Sequence, residues 1–472
     1  MASGVTTGTA TWRALLGSRY LGTSTVLAGG VGLYATNEFI TISLLPSAVA
    51  DIGGQRLYAW VTTVYLVASV VAATTVNPIV TRLGPRWAYL NAMAVFAAGT
   101  VACSLAPTME MLLLGRTVQG LGGGVLAGLG YAVINAALPP ELWTKASALV
   151  SAMWGVGTVV GPAAGGLFAQ YGMWRWAFGA LVIATAVMAV LVPFSLPARE
   201  RGGVVPFRIP IGSLLLLGAA ALSVSVAGIP RHAVLTAGLL AAGVALAGLF
   251  LLIDRRAKVA VLPPSTFGPG PLKWIYLTLG LLMASTMVDM YVPLFGQRLA
   301  HLVPVVAGFL GVVLSVGWTV GELSSASLRS VAVTVRVVAV APLVMAVGLG
   351  VAAVSQVDDA SRWSVAVWSA ALLVTGVGIG MAWPHLSAWA MGSVRDPGEG
   401  AAAAAAINTV QLICGAFGAG LAGVVVNMSD RGDATAARWM FGVFAVLAVV
   451  GVLASYRAGR GRVPSIHPLR SG

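Results

Sequence analysis

The sequence predicts an all-α polytopic membrane protein, and its composition and the length of its apolar runs are the observations that predict it. The chain has 472 residues, of which 58% are hydrophobic and 9% are charged, with a mean hydropathy of +0.92. Soluble globular chains carry about 25% charged residues, so this chain has too little charge to cover a water-soluble surface. The composition therefore excludes a soluble enzyme, a secreted disulfide scaffold and a disordered chain.

Apolar runs long enough to cross a bilayer follow one another along the whole chain. A membrane helix needs about 20 apolar residues, whereas a membrane β-strand needs about 10 residues of alternating polarity. The runs do not alternate, so we predict about fourteen helices, near 26–50, 58–80, 87–106, 109–138, 145–170, 174–196, 210–229, 233–253, 272–295, 303–326, 333–354, 363–391, 400–427 and 436–456. The pair 210–229 and 233–253 decides between fourteen helices and twelve.

The basic residues predict the orientation. With the N-terminus inside, 19 of the 27 Lys and Arg residues fall in links on the inner side and 7 on the outer side, as the positive-inside rule requires. Because these residues lie in short links, the pI near 10.4 predicts no nucleic-acid partner. The scarcity of Lys, together with abundant Ala, Gly and Val, is typical of a high-GC bacterial genome. We therefore expect a multi-pass protein of the bacterial cytoplasmic membrane with both termini in the cytoplasm.

A weak internal repeat predicts the domain organisation. RTVQGLGGG at 116–124 and TGVGIGMAWP at 375–384 are each followed by an apolar stretch, a polar link and another glycine-rich helix. Two related bundles with an extra pair between them would produce this pattern. We expect an N-terminal six-helix bundle at 1–200, a two-helix insertion and linker at 201–260, and a C-terminal six-helix bundle at 261–472.

Three carboxylates fall within predicted spans. Glu38 lies near the middle of the first span, Asp289 in the outer half of the ninth and Glu322 toward the inner end of the tenth. A carboxyl group in apolar surroundings holds its proton more tightly than in water, so it can bind and release a proton near neutral pH. Competition between a proton and a substrate cation at such a group would support exchange. A structural hydrogen bond is the alternative for each, and Glu322 also has the option of reaching the inner interface.

The predicted span 145–170 carries the most specific motif, Gly157-x-x-x-Gly161-Pro162-x-x-Gly165-Gly166. Glycines at four-residue spacing make a flat helix face that another backbone can approach, and proline bends the helix. A general small-residue packing seam is the alternative. The whole string resembles the signature of the drug:proton antiporters of the major facilitator superfamily.

Two further motifs resemble the same family. Arg116, Gln119 and Gly120 are similar to its R-x-x-Q-G motif, in which the arginine is implicated in proton coupling; the alternative is an arginine that extends outward to the interface. The other motif is the superfamily's cytoplasmic loop, which is matched at Arg82, Gly84 and Arg86. The acidic position of that loop is Thr81, so we do not assign it the usual role of latching the inner gate.

The two branches of the antiporter family are both represented. Glu38-Phe39 is similar to the helix-1 pattern of the twelve-helix branch, and Asn37 stands where the fourteen-helix branch has an aspartate. Trp174-Arg175-Trp176-x-Phe178 is similar to the fourteen-helix branch.

The resemblance implies a major facilitator fold, with two six-helix bundles plus two extra central helices. It implies a secondary transporter, not an enzyme, that exports amphipathic or cationic small molecules by proton antiport while the bundles rock around a midplane site. Glu38, Asp289, Arg116 and Glu322 would couple the proton to the substrate. The expected partners are a small-molecule substrate, protons and membrane lipid, and we expect a monomer with no cofactor and no metal.

Three alternatives to drug export are weighed. A lipid or glycolipid exporter on the same fold is the nearest. A membrane-embedded transferase is disfavoured because the only adjacent acid pair, Asp358-Asp359, lies in a short link. A scaffold is disfavoured because three buried carboxylates are costly without a use.

Overall fold

Long α-helices make up almost all of the structure, a computed structural model that describes residues 11–197, 210–230, 232–257, 259–328, 330–394, 399–429 and 431–460. We number the long helices α1 (Leu21–Ile52), α2 (Gln55–Ala73), α3 (Val76–Ser104), α4 (Met109–Ala132), α5 (Trp143–Gln170), α6 (Trp174–Ser195), α7 (Ile211–Val226), α8 (Ala233–Asp254), α9 (Leu272–Ala300), α10 (Pro304–Ser325), α11 (Val331–Val354), α12 (Arg362–Gly392), α13 (Gly400–Asn427) and α14 (Asp433–Gly459). Most of these bounds agree with the predicted spans to within a few residues. The predicted all-α membrane fold is therefore confirmed.

Twelve of the helices in the described ranges are long and apolar enough to cross a membrane. The two remaining long helices are α1 and α7. The 32-residue α1 has Asn37 and Glu38 in its middle, which lower its hydropathy. The 16-residue α7 is about 24 Å long at 1.5 Å per residue, which is less than the ~30 Å hydrocarbon core. This helix is shorter than the predicted 210–229, because Pro210 precedes it and Gly228 and Pro230 follow it.

The link predicted between the second and third spans contains a break, because α3 consists of two helical segments that meet at Gly84. α3 starts at Val76, and within it only Gly84 has non-helical backbone angles, φ 78° and ψ 165°. A positive φ is open to glycine at little steric cost. The chain therefore changes direction at Gly84, followed directly by Pro85, rather than across a longer loop.

The chain forms two compact units, residues 1–54 with 68–209 and residues 55–67 with 210–472. In the first unit α1 packs against α4, α5 and α6, and α3 packs against α4 and α6. In the second unit α9 packs against α12, α13 and α14, and α11 packs against α12 and α14. The same packing order thus occurs in both units, in agreement with the internal repeat. The three-part division at 1–200, 201–260 and 261–472 stays a prediction.

Several positions used in the sequence predictions lie outside the described residues. The domain boundary at 200/201 is one of them. The others are basic residues counted for the orientation, namely Arg199, Arg201, Arg208, Arg231, Lys258, Arg329, Arg395, Arg462 and Arg470.

The glycine face of α5 is in direct backbone contact with α1. A Cβ atom at Gly157 would lie 2.9 Å from the carbonyl carbon of Ala35, and one at Gly165 would lie 2.5 Å from the carbonyl oxygen of Ile40. A Cβ at Gly161 would overlap the Cβ of Phe39. Pro162 and Gly166 are buried beside these glycines. The spacing therefore produces the close packing that the motif predicts.

Asp254 ties the end of α8 to its surroundings. Its Oδ1 accepts hydrogen bonds from the Ser213 hydroxyl of α7 and the Val261 amide, both at 2.8 Å, and its Oδ2 accepts one from the Leu262 amide at 2.9 Å. The side chain is 1% exposed. The predicted span 233–253 leaves this acid in the following link, and the sequence contains no sign of its burial. Its three bonds fix the segment that leads to α9.

We expect Gly161→Ala to lower the free energy of unfolding by about 1–3 kcal/mol, because α1 and α5 must separate to make room for the added Cβ. The measurement is the thermal unfolding midpoint of the purified protein, which should fall. Gly155→Ala is the matched control, since a Cβ at Gly155 meets no atom within 4 Å. Alanine has a higher helix propensity than glycine, so the control is expected to gain up to about 1 kcal/mol. Equal midpoints for the two variants would contradict the contact.

We expect Asp254→Ala to lower the unfolding midpoint as well, because the amides of Val261 and Leu262 lose a charged acceptor. Each such loss costs about 1.5–3 kcal/mol. Asp358→Ala, at an exposed acid, is the control and should leave the midpoint unchanged. Equal midpoints for Asp254→Ala and the wild type would rule out this role.

Candidate functional site

Glu38 is held in the middle of α1, within the stretch that contacts α5. Ala35, Phe39 and Ile40 face the glycines. At 100° per residue, Glu38 lies roughly 110–120° around the helix from the centre of that contact. Its side chain therefore lies off the glycine face of α5, and it is partly exposed.

Arg116 of α4 acts on Glu38. The guanidinium lies close enough for its charge to interact with the Glu38 carboxylate. The Arg116 side chain is 1% exposed, so it does not extend outward to the interface, which was the alternative left open by the sequence. The structure thus brings together two of the predicted coupling residues in one unit.

A chain of hydrogen bonds connects Arg116 to α3. Its Nη1 donates to the Gln119 Oε1 at 2.5 Å, and the Gln119 Nε2 donates to the Thr100 hydroxyl at 2.9 Å. The Thr100 hydroxyl in turn donates to the carbonyl oxygen of Phe96 at 2.7 Å. Next to Gln119, the Gly120 carbonyl accepts a bond from the Ser69 hydroxyl at 3.1 Å. The large majority of buried polar groups have such partners, and the R-x-x-Q-G spacing supplies the first of them.

Tyr34 and Asn37 belong to the same part of α1 as Glu38. Tyr34 precedes Glu38 by four residues and so shares its helix face, and its ring contacts Trp154 of α5 edge-on at 5.7 Å. Asn37 is fully buried, and its side-chain amide has no hydrogen-bond partner among the described residues. From the sequence, Asn37 is only a departure from the family pattern. A buried amide without partners is costly, which makes Asn37 a further candidate for this site.

Asp289 lies where α9 is interrupted. The α-helical part Leu272–Thr286 gives way to a 3₁₀ turn at Met287–Tyr291, and helix resumes at Val292–Ala300. The Asp289 side chain is 9% exposed. Interrupted helices in transporters commonly supply ion and substrate sites. The interruption could not be read from the hydropathy, which is continuous across it.

Tyr291, the last residue of this turn, belongs to a stack of aromatic rings within the second unit. Tyr58 stacks on Tyr291 with ring centroids 4.7 Å apart, and Tyr291 is followed by Phe295 at 6.0 Å. The Tyr58 hydroxyl donates to the carbonyl oxygen of Met290 at 3.1 Å. A carboxylate next to aromatic faces is a suitable environment for an organic cation.

Glu322 belongs to a different cluster. It lies in the last turn of α10, partly exposed, with a hydrogen bond to the Trp318 side chain. Trp318 in turn packs against Trp383 of α12, with ring centroids 5.1 Å apart. Glu322 therefore has a hydrogen-bond partner, Trp318, in its own helix.

The loop-motif residues take structural positions. Arg86 donates through Nε and Nη2 to the carbonyl oxygen of Leu196, at 3.1 and 2.9 Å, and so holds the end of α6. Arg82 is exposed. The Thr81 hydroxyl donates to the carbonyl oxygen of Asn77 in its own helix at 2.9 Å.

The W-R-W motif connects several helix ends at the start of α6, opposite to the end that Arg86 contacts. Arg175 makes an ion pair with Asp51 at 2.6 Å and donates to the carbonyl oxygen of Ala106 at 3.0 Å. The Trp174 indole also donates to Asp51, at 3.1 Å, and its ring lies under the Arg175 guanidinium. The motif thus joins the ends of α1, α3 and α6. In the described part of the chain, no three His, Cys, Asp or Glu side chains gather as metal ligands would.

Comparisons with known proteins agree with this architecture. The sequence profile of the Major Facilitator Superfamily matches residues 27–419. A Mycobacterium tuberculosis (strain ATCC 25618 / H37Rv) protein named a probable multidrug-efflux transporter is 62% identical over 456 residues, which cover 95% of this chain and 97% of that protein. The multidrug transporter protein MdtP of Bacillus subtilis (strain 168) is 23% identical over 405 residues, covering 83% of this chain and 73% of that protein.

Solved transporter structures share the fold. A D-xylose-proton symporter superposes with a TM-score of 0.65 at 15% identity, covering 93% of this chain and 97% of its own. The nucleoside transporter NupG superposes with a TM-score of 0.64 at 13% identity, covering 93% and 99%. With a profile match across most of its length, the chain belongs to the major facilitator superfamily of membrane transporters.

Proposed function

We propose that this transporter exports amphipathic or cationic small molecules from the cytoplasm in exchange for protons. The observation that carries the proposal is that Glu38, in the middle of α1, lies within electrostatic reach of the buried Arg116 of α4. A carboxylate at such a site can bind a proton or an exchangeable cation, and binding of one weakens binding of the other. The 62% identity to a probable multidrug-efflux transporter supports drug-like cargo.

Glu38 and Asp289 have different surroundings, which suggest different tasks. Glu38 lies on a continuous helix beside a fixed cation, which favours exchange of a small ion such as a proton. Asp289 lies in an interrupted helix beside Tyr58 and Tyr291, which favours an organic cation. Glu322 and Arg116 modulate this coupling in the proposal, Arg116 through its charge on Glu38.

The proposed setting is the bacterial cytoplasmic membrane, with a monomer that has both termini inside. The predicted excess of basic residues in the inner links supports this orientation. The division into residues 1–200, 201–260 and 261–472 is part of the same proposal. The protein alternates between states that open to one side of the membrane and then to the other, with the proton gradient as the driving force.

We expect Glu38→Gln to reduce proton-driven transport of ethidium into everted vesicles by about tenfold or more. Glutamine keeps the shape of the side chain but cannot exchange a proton. Glu110→Gln, at an exposed glutamate in the first turn of α4, is the matched control and should transport normally. Full gradient-driven transport by Glu38→Gln would overturn the proton-coupling role.

The pH dependence of binding provides a second readout for the same variant. In the wild type, acid pH should weaken ethidium binding because protons compete with the cation for a carboxylate. In Glu38→Gln the part of this dependence that is due to Glu38 should disappear, provided that the purified variant unfolds at the wild-type temperature. An unchanged pH profile in a folded variant would count against competition at this group.

We expect Asp289→Asn to weaken binding of cationic dyes by about tenfold while binding of an uncharged dye of similar size changes little. The amide keeps the side-chain volume but removes the charge beside the tyrosine rings. Asp358→Asn, at an exposed acid, is the control. Equal losses for charged and neutral dyes would show that Asp289 has only a structural role.

The same vesicles discriminate drug export from lipid export. Suppose that the wild type translocates a fluorescent lipid but transports neither ethidium nor the other dyes named above. That result would favour the lipid or glycolipid exporter instead.

A further inference from the structure

An open groove of about 500 Å³ lies between one end of α9 and the end of α14, within the second unit. Gly270, Pro271 and Trp274 line it on one side, and Arg457 and Arg460 line it on the other. Trp274 is the third residue of α9, and Arg457 is in the last turn of α14. The groove therefore lies at the ends of two membrane helices, where lipid headgroups meet the protein.

Aromatic rings hold both guanidinium groups in place. Arg457 lies over the Trp274 ring, with 4.5 Å between its Cζ and the ring centroid, and Arg460 lies over the Tyr456 ring at 4.8 Å. A ring covers one face of a guanidinium but leaves the N–H groups at its edge free to donate. Two such forks, one in the last turn of α14 and one at the residue that follows the helix, offer the paired donors that arginine uses for phosphate.

The positive charge of the groove is not neutralised within the described part of the chain. Neither Arg457 nor Arg460 has an acidic side chain within 4 Å there. Both side chains are exposed, and Lys273 at the start of α9 is a further exposed cation next to Trp274. The groove is therefore electrostatically suited to an anionic ligand.

An apolar stripe on α14 leads into the groove. Val446, Val449, Val450 and Leu453 are each more than half exposed, and their spacing places them on one face of the helix. Tyr456 continues the stripe to the level of the two arginines and is also more than half exposed. A surface of this kind suits an acyl chain, whereas free phosphate would make no use of it.

We propose that this groove binds an anionic phospholipid, with its phosphate on Arg457 and Arg460 and an acyl chain along the α14 stripe. Basic pockets between membrane helices are suited to anionic headgroups, and the predicted orientation places this one in the cytoplasmic leaflet. The site is separate from Glu38 and Asp289 in sequence. It does not depend on the nature of the transported cargo.

The test uses the full-length purified protein in a neutral detergent. Its unfolding midpoint is measured after addition of phosphatidylglycerol, phosphatidylcholine or inorganic phosphate. A ligand that binds the folded state raises the midpoint, so phosphatidylglycerol should raise it by at least about 2 °C more than phosphatidylcholine. Inorganic phosphate at the same concentration should have no comparable effect, because it lacks the acyl chain.

Three variants locate the effect. The double variant Arg457→Gln/Arg460→Gln should lose the difference between the two lipids, whereas Arg362→Gln, at an exposed arginine at the start of α12, should keep it. Leu453→Asn, in the stripe, should reduce the response to phosphatidylglycerol with both arginines intact. The readout is the lipid-dependent rise and not the midpoint itself, so a loss of stability in a variant does not obscure it.

Two results would overturn the proposal. One is an equal rise with phosphatidylglycerol and phosphatidylcholine in the wild type, or an undiminished difference between them in the double variant. The other is an equal rise with inorganic phosphate and phosphatidylglycerol, which would indicate a simple anion site.

Discussion

The backbone contact between α1 and α5 is the constraint on which the first unit depends. With glycine at 157, 161 and 165, no side chain separates the two helices, so the stretch from Ala35 to Ile40 has one available position. Glu38 is part of that stretch and lies off the glycine face. The position of Glu38 in the first unit is therefore set in part by packing that involves no charge. A helix face without charged side chains thus positions the carboxylate to which we assign proton coupling.

Buried polar groups in this protein fall into two classes. Arg116 and Asp254 are held by networks of short hydrogen bonds, which offset the cost of removing charge from water. Asn37, by contrast, is fully buried with no partner for its amide in the described residues. The first class is what a rigid scaffold requires. The second is what we expect of a group that gains a partner only when a substrate binds or the protein changes state.

The sequence was sufficient for features that depend on local pattern, and insufficient for those created by folding. Hydropathy located the helices, and glycine spacing identified the α5 face, because both are properties of one segment. The partners of Asp254 come from Ser213 and from the chain after α8, so its burial has no local signal. The ring pair of Tyr58 and Tyr291 joins residues 233 positions apart. The short α7 was overestimated because hydropathy ignores the breaking effect of Pro210 and Pro230.

An exchanger of protons for bulky cations has two different binding requirements, which a single carboxylate does not meet equally well. A group that binds protons tightly enough to use the gradient must have few competing contacts, whereas a group that binds bulky cations needs surrounding apolar surface. In the proposed function, Glu38, whose charge interacts with the Arg116 guanidinium, takes the proton. Asp289, in the 3₁₀ turn that ends at Tyr291, takes the bulky cation. Because the demands conflict at one residue, separate positions for the two carboxylates are the physically economical solution, and the repeated packing order of the two units supplies a framework for both.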